Sequence, residues 1–388
     1  MTRYWNQGFF PAVIVLVAIN LRPVLASLSP LLDVIQHDTG LSDTDAGLLT
    51  TLPVALMGLC LLCGSRLRSL IGERNGITAG LGLIGLAGLG RWVWPHAAVM
   101  MATAILGGVG IAIVQAFMPS VIRRQAGART ANLMGLYSTG IMGGALISSV
   151  TSPWIAQAFG WPTALGLWSF LAVLGLAAWG KWPVSVNARR VPLREQSLYR
   201  VPRAWLLLSF FGLGTGAYTL VLAWLPPFYT HLGWSAQAAG MLLGGVTCAE
   251  VFAGIVVAFW IHHCPDRRIA LFGAIGALLA GLLCLCLTPL TLVWPAAVLA
   301  GLGIGALFPL SLIIAMDHGE QAADAGAIAE FVQGGGYVIA ALLPLMAGIL
   351  RQTLTDLTPA WWLMAGLCLV MMLMAVRFQP QDWISFPS

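Results

Sequence analysis

Charge is what this sequence has least of. Of 388 residues, 9% are charged and 59% are hydrophobic. A soluble domain carries about 25% charged residues, so a fold in water would leave most of this surface without polar cover. Other absences narrow the function. No Walker A sequence occurs, which argues against ATP-driven work within the chain. No nucleophile–base pair or metal cluster falls at mid-depth of an apolar run, which counts against a membrane enzyme. No basic stripe with interleaved aromatics is free to meet a phosphate backbone, so nucleic acid is not an expected partner. The first apolar run is too long for a signal peptide, contains Arg22 and lacks a clean small-residue cleavage site. No cofactor is implied.

Long apolar runs are what the chain does have. A helix needs about 20 apolar residues to cross the hydrocarbon core. Twelve runs qualify: 9–34, 44–64, 76–94, 97–122, 131–158, 162–182, 204–229, 236–261, 269–288, 291–316, 325–350 and 359–377. The expected fold class is an all-α membrane protein of twelve transmembrane helices. The longest polar stretch, Pro183 to Arg203, divides them into a first half (1–183), a linker (184–203) and a second half (204–388). Seven cysteines fall mostly inside the apolar runs. Cys60-x-x-Cys63 has a redox or zinc half-site spacing but no second pair, so it reads as helix packing. Gly80-Leu-Gly82-Leu-Ile-Gly85 matches a dinucleotide fingerprint but has no strand before it. His262-His263 beside Cys264 reads as a surface loop.

Basic residues orient the chain. One alternate set of ends and loops holds Arg3, Arg66, Arg68, Arg74, Arg123, Arg124, Arg129, the Lys181–Arg203 group, Arg267, Arg268 and Arg377, sixteen of the nineteen. The other set holds Arg91 and Arg351, and Arg22 lies inside a span. By the positive-inside rule both termini are cytoplasmic, in a bacterial inner membrane. A shift of 193 residues then brings like onto like. Gly108-Val-Gly-Ile-Ala falls on Gly301-Leu-Gly-Ile-Gly, Gly143 on Gly336, and Glu73-Arg74 on Asp266-Arg267. Such a parallel repeat of two six-helix halves puts a substrate site between the halves near mid-depth.

Three segments carry a family likeness. They are Asn20-Leu-Arg22-Pro23 in the first span, Leu48-Leu-Thr-Thr-Leu-Pro53 in the second, and Gly107-Gly-Val-Gly-Ile-Ala-Ile-Val-Gln115-Ala-Phe-Met-Pro119-Ser-Val-Ile-Arg123-Arg124 in the fourth. With these the chain resembles the major facilitator superfamily over its whole length, and within it the cyanate and nitroimidazole porter group. The superfamily loop after span two reads Gly64-Ser-Arg66-Leu-Arg68-Ser-Leu-Ile-Gly72-Glu73-Arg74 here, with a basic residue where the family has an acid. The resemblance implies secondary transport of a small molecule by alternating access. It also places Gln115, Tyr218 and Trp224 near the cavity.

Arg22 is the leading candidate for substrate contact. An Arg at the centre of a span costs about 2.5–3.5 kcal/mol on insertion scales, and it is too deep to reach either surface. A guanidinium keeps its proton and offers a fork of donors, which suits a small anion. Pro23 loosens the helix beside it, and Asn20 precedes it by two residues. Glu250 and Glu330 are read as mid-span carboxylates that either couple protons to transport or pair with Arg22. Glu330, Gln333 and Tyr337 form one polar stripe, and Gln333 and Tyr337 join the substrate-contact candidates. Gly140, Gly143 and Gly144, with Gly334 to Gly336, suit helices that slide past each other. Basic Arg66, Arg68 and Arg74 face acidic Asp317, Glu320 and Asp324 as a charge-inverted cytoplasmic latch. Two functions stay open: a small-anion transporter acting as a monomer in the lipid bilayer, and a proton-coupled exporter of a neutral or cationic drug-like compound that uses Glu250 and Glu330.

Overall fold

A computed structural model describes residues 2–126, 129–182, 198–264, 266–319 and 322–379. Twelve helices in it are long and apolar enough to cross a membrane. They are α1 (Phe9–Thr39), α2 (Asp43–Leu62), α3 (Glu73–Val93), α4 (Ala97–Gln125), α5 (Asn132–Phe159), α6 (Trp161–Lys181), α7 (Pro202–His231), α8 (Ala236–Trp260), α9 (Arg267–Leu287), α10 (Val293–Asp317), α11 (Asp324–Leu354) and α12 (Thr358–Val376). A short helix, Gly64–Ile71, links α2 to α3. The linker 184–203 lies mostly outside the described residues, and α7 opens within its last two positions.

The helices run further than hydropathy alone suggests. Span one continues to Thr39, so Asp33 and Asp38 stand on its final turns rather than in a loop. Arg351, just past the run 325–350, lies inside α11, and Arg91, counted above with the loop charges, lies inside α3 as its run 76–94 already has it. A polar residue ends a hydropathy run, yet its backbone can go on making helical bonds wherever its head group finds a partner.

The first span is the irregular one. Its helix stops at Ile19, a short turn Pro23–Ala26 follows, and a 3₁₀ turn Ser29–Leu31 leads into Leu32–Thr39. Proline supplies the cause. Pro23 has no N–H to bond Ile19. Arg22 before it sits at φ −115° and ψ −24°, still in the right-handed helical region, so the break rests on the missing donor and not on an extended Arg22 backbone. The approaching chain tightens, with Asn20 N–H bonding Val17 and Leu21 N–H bonding Ala18. Asn20 Nδ2 donates to Leu16 at 2.6 Å and to Leu171 of α6 at 3.2 Å. Helix α5 approaches this break through Gly144, where an added Cβ would collide with the Ile19 carbonyl oxygen.

Matching ion pairs tie the two halves internally. Glu73, at the start of α3, pairs with Arg124 near the end of α4 and accepts from Ser120 Oγ at 2.7 Å. In the second half Arg267, at the start of α9, pairs with Asp317 at the end of α10, at 3.3 Å. On adding 193, Arg124 becomes 317 and Glu73 becomes 266, the neighbour of Arg267, so the same helix pair is clasped twice with the charges exchanged and one partner shifted by a residue. Outside the spans, Asp266 accepts from Arg268 Nη2 at 2.7 Å and caps α9, and those bonds hold its carboxyl below the usual range. The Gly80 motif is helix packing: a Cβ there would sit 2.8 Å from the Gly110 carbonyl oxygen of α4.

Candidate functional site

The break in α1 delivers Arg22 into the centre of the molecule. Arg22 is 6% exposed, yet its side chain has neither a hydrogen bond nor an ion pair among the described residues, and its Nε is a buried donor with no acceptor. Its guanidinium carbon lies over the ring of Tyr218, 5.1 Å from the ring centre. Tyr137 of α5, Tyr218 of α7, Glu250 of α8 and Tyr337 of α11 all lie within its electrostatic reach. Glu250 is 7% exposed and also lacks a hydrogen-bonding or ionic partner among the described residues. The hydroxyls of Tyr137 and Tyr218 are buried and unbonded, as is that of Thr215, one helical turn before Tyr218.

Buried polar groups are normally bonded, and leaving one unbonded costs about 1–3 kcal/mol. Four such groups beside or near the bare cation, Glu250 and the hydroxyls of Tyr137, Tyr218 and Thr215, are what a polar ligand would satisfy. The unpaired cation sets the preferred sign. Charge-assisted hydrogen bonds from a guanidinium to an oxyanion are roughly twice as strong as neutral ones.

An apolar layer lies next to this cluster. Leu25 and Ala26 of α1, Ala145 of α5, Leu222 of α7 and Leu243 of α8 form a separate buried group against which Tyr218 packs. Beyond it, toward the face with few basic residues, polar bonds cross between the halves. Ser29 Oγ donates to Ala223 at 3.0 Å, and Thr51 Oγ1 to Ala341 at 2.7 Å. Arg351 of α11 pairs with Asp33 at 3.1 Å and Asp43 at 3.5 Å, and lies 5.6 Å over the ring of Trp224. Thr230 donates to Asp33, Gln36 donates to Asp43 at 3.0 Å, and Thr44 donates to Gln352.

At the opposite, basic face no hydrogen bond or ion pair with both partners described joins the halves. Arg68 reaches Ala116 and stands over Phe117, Arg74 reaches Gly180, and Asp317 holds Arg267. Asp324 is buried without a partner among the described residues. The Arg66 side chain and Glu320 lie outside the described residues. Polar bonds between the halves with both partners described therefore gather at the face poor in basic residues.

Sequence-predicted residues divide accordingly. Arg22, Tyr218, Glu250 and Tyr337 come together. Asn20 does not turn toward them, since its amide nitrogen is held by two backbone carbonyls of its own half. Trp224 belongs instead to the face poor in basic residues, donating to Pro344 at 2.9 Å beneath Arg351. Gln115 has a buried, unbonded carbonyl oxygen, but no described contact joins it to Arg22.

Glu330 differs from the sequence reading of a buried acid, for it is exposed. Leu342, Met346 and Ile349 mark the outer side of α11. At 100° per residue, Glu330 lies about 120° around the helix from Leu342, so it stands off that outer side. Gln333, which is half-buried, and Tyr337 continue the same stripe inward. Tyr137, Thr215, Arg91 and Arg351 are functional candidates that hydropathy passed over. A charge in or at the edge of an apolar run was the available signal for Arg91 and Arg351, and nothing in the sequence marked Tyr137 or Thr215.

The family model of the Major Facilitator Superfamily matches residues 14–341. The chain belongs to the major facilitator superfamily. It is 38% identical over 380 residues to the cyanate transport protein CynX of Escherichia coli (strain K12), covering 97% of this chain and 98% of that protein. It is 30% identical over 385 residues to the 2-nitroimidazole transporter of the same organism, covering 96% and 94%. Among solved structures, a D-xylose–proton symporter superposes with a TM-score of 0.77 at 14% identity, over 96% of this chain and 98% of that one. A bacterial homologue of the lysosomal transporter Spinster gives 0.74 at 14% identity, over 98% and 99%. This facilitator is thus a multi-pass membrane transporter and not an enzyme, with the expected all-α fold of two six-helix repeats.

Proposed function

We propose that this facilitator is a secondary transporter that carries a small anion of the cyanate class across the bacterial inner membrane by alternating access, with Arg22 as the charge anchor. The observation that carries this reading is the bare Arg22 guanidinium, buried at mid-depth with unbonded hydroxyls around it. The likeness to the cyanate transport protein supports the substrate class. The basic census assigns the face poor in basic residues to the periplasm and both termini to the cytoplasm. The structure then corresponds to the state open toward the cytoplasm. Transport closes that side by bringing Arg68 and Arg74 toward Asp317 and Asp324, while the Arg351 pairs open. Glu250 stands in the Arg22 field without touching it, which suits a carboxyl that takes and releases a proton as the anion comes and goes.

Uptake of cyanate by proteoliposomes tests the proposal. Wild-type protein concentrates the anion, Arg22→Ala loses at least tenfold in rate, and Glu250→Gln loses its dependence on an imposed proton gradient. Normal uptake by Arg22→Ala would sink the anchor role. The second reading is export of a neutral or cationic drug-like compound, drawn from the likeness to the 2-nitroimidazole transporter. Proton flux driven by 2-nitroimidazole, with no response to cyanate, would favour it.

A further inference from the structure

Arg91 is the other fully buried arginine, and no anion neutralises it. It is 2% exposed, near the end of α3, and makes no ion pair among the described residues. Its Nη1 donates to the Val24 carbonyl at 2.8 Å and its Nε to Thr103 Oγ1 at 3.1 Å, while Nη2 is buried and unbonded. Thr103 is fixed in turn by the carbonyls of Val99 and Met100. Val24 stands two residues after Arg22, on the short turn Pro23–Ala26. In an unbroken helix its carbonyl would accept from Leu28, but Leu28 N–H bonds Leu25 instead. Arg91 therefore satisfies an acceptor that exists only because α1 is broken.

The repeat gives an internal control. Adding 193 to 91 gives Cys284 in α9, and the helix that corresponds to α1 is α7, which runs unbroken through Pro202–His231. The half with the broken helix has the buried arginine, and the half with the continuous helix has a cysteine.

We propose that Arg91 is a positioning residue for transport: its guanidinium clamps the broken turn of α1 onto α3 and α4, and so fixes where Arg22 presents itself to the substrate. A guanidinium suits this task because it bonds a carbonyl and a hydroxyl at once from a planar fork and keeps its proton when buried. The deduction deepens the anion-transport reading, but its first test does not depend on that reading.

Amide hydrogen exchange on purified, detergent-solubilised protein reads the clamp directly. In Arg91→Met, peptides covering residues 20–31 exchange at least tenfold faster than in wild type while peptides from α7 to α12 do not change. Arg91→Lys, which can still donate to Val24, restores most of the protection. Unchanged exchange at 20–31 in Arg91→Met, or acceleration spread over all helices, would overturn the proposal. Should Arg91→Met fail to assemble, Thr103→Val removes one anchor alone and produces a smaller change in the same peptides. A double-mutant cycle supplies the functional arm. With cyanate as probe, Arg91→Met raises KM at least fivefold in an otherwise wild-type chain but adds nothing further in an Arg22→Ala background. Additive losses would make Arg91 a general support and overturn the positioning role. Wild-type protein that ignores cyanate would refute the substrate reading and leave the exchange result to judge the clamp.

Discussion

Tyr218 offers two things to a ligand beside Arg22: a ring face for the guanidinium and a hydroxyl with nothing to bond. Cation–π contact contributes about 0.5–2 kcal/mol, which holds the guanidinium without neutralising its charge. A carboxylate partner would have done that and weakened any pull on an anion. The hydroxyl is then free to donate to the anion, and hydrogen bonds to charged groups contribute about 1.5–3 kcal/mol. Tyr218→Phe keeps the ring and deletes the donor. Cyanate binding by this variant weakens about tenfold or more by isothermal titration, with thermal stability unchanged. Equal affinity in the Phe variant would remove the hydroxyl from the site. Arg22 was legible in the sequence because a charge within a long apolar run is costly wherever it goes. Tyr137 and Thr215 were not, since either is unremarkable in a membrane helix until its hydroxyl is found without a partner. Asn20 misled for the opposite reason, because its amide nitrogen bonds carbonyls freed or exposed by the bend.

At the scale of elements, the bend in α1 is accommodated by its neighbours as much as by Pro23. Gly144 lets α5 lie against the Ile19 carbonyl, the acceptor that Pro23 leaves without a donor. One residue earlier, Gly143 faces open space, with nothing within 4 Å of a Cβ built there. The pair makes a controlled comparison. Gly143→Ala replaces a poor helix former by the best one, a gain of up to about 1 kcal/mol. Gly144→Ala forces a methyl into backbone and costs about 1–3 kcal/mol as overpacking. Thermal unfolding followed by size-exclusion fluorescence separates them: Gly143→Ala holds or rises, Gly144→Ala falls, and its transport rate falls with it. Equal melting of the two variants would mean that α5 does not rest on the break. All twelve spans could be read from hydropathy because each buries an apolar stretch of the right length. The end of α11 could not, for Arg351 continues that helix by finding a partner more than 300 positions away in sequence. Chain-local patterns carry no trace of such partners.

For the whole molecule, the decisive quantity on the proposed alternating-access reading is the balance between the state closed at the Arg351 face and its opposite. Arg351 sits at the centre of that closure. Among the described residues it binds two carboxylates of the first half, Asp33 and Asp43, while its guanidinium covers Trp224. On the proposed reading, the latch residues Arg68, Arg74, Asp317 and Asp324 come together only when this side opens. Both Arg351 pairs are partly exposed, with side-chain exposure of 14% for Arg351, 39% for Asp33 and 24% for Asp43, so each contributes no more than about 1 kcal/mol. Losing both costs up to about 2 kcal/mol and so shifts the two-state balance on the order of tenfold, since each 1.4 kcal/mol is a factor of ten. Removing Arg351 also leaves two like-charged carboxylates facing each other across the closed interface, which pushes in the same direction. A cysteine at Ser29, whose hydroxyl bonds Ala223 of the second half beneath this layer, reports on the opening. In a chain whose native cysteines are replaced by serine, Ser29→Cys reacts slowly with a membrane-impermeant maleimide added to the periplasmic side. Adding Arg351→Ala raises that rate about tenfold, and Arg351→Lys raises it less because one ion pair can re-form. A rate that does not move in Arg351→Ala would place the energy of closure elsewhere, in the apolar layer of Leu25, Ala26, Ala145, Leu222 and Leu243. In that case Leu222→Ala, and not Arg351→Ala, would free the cysteine.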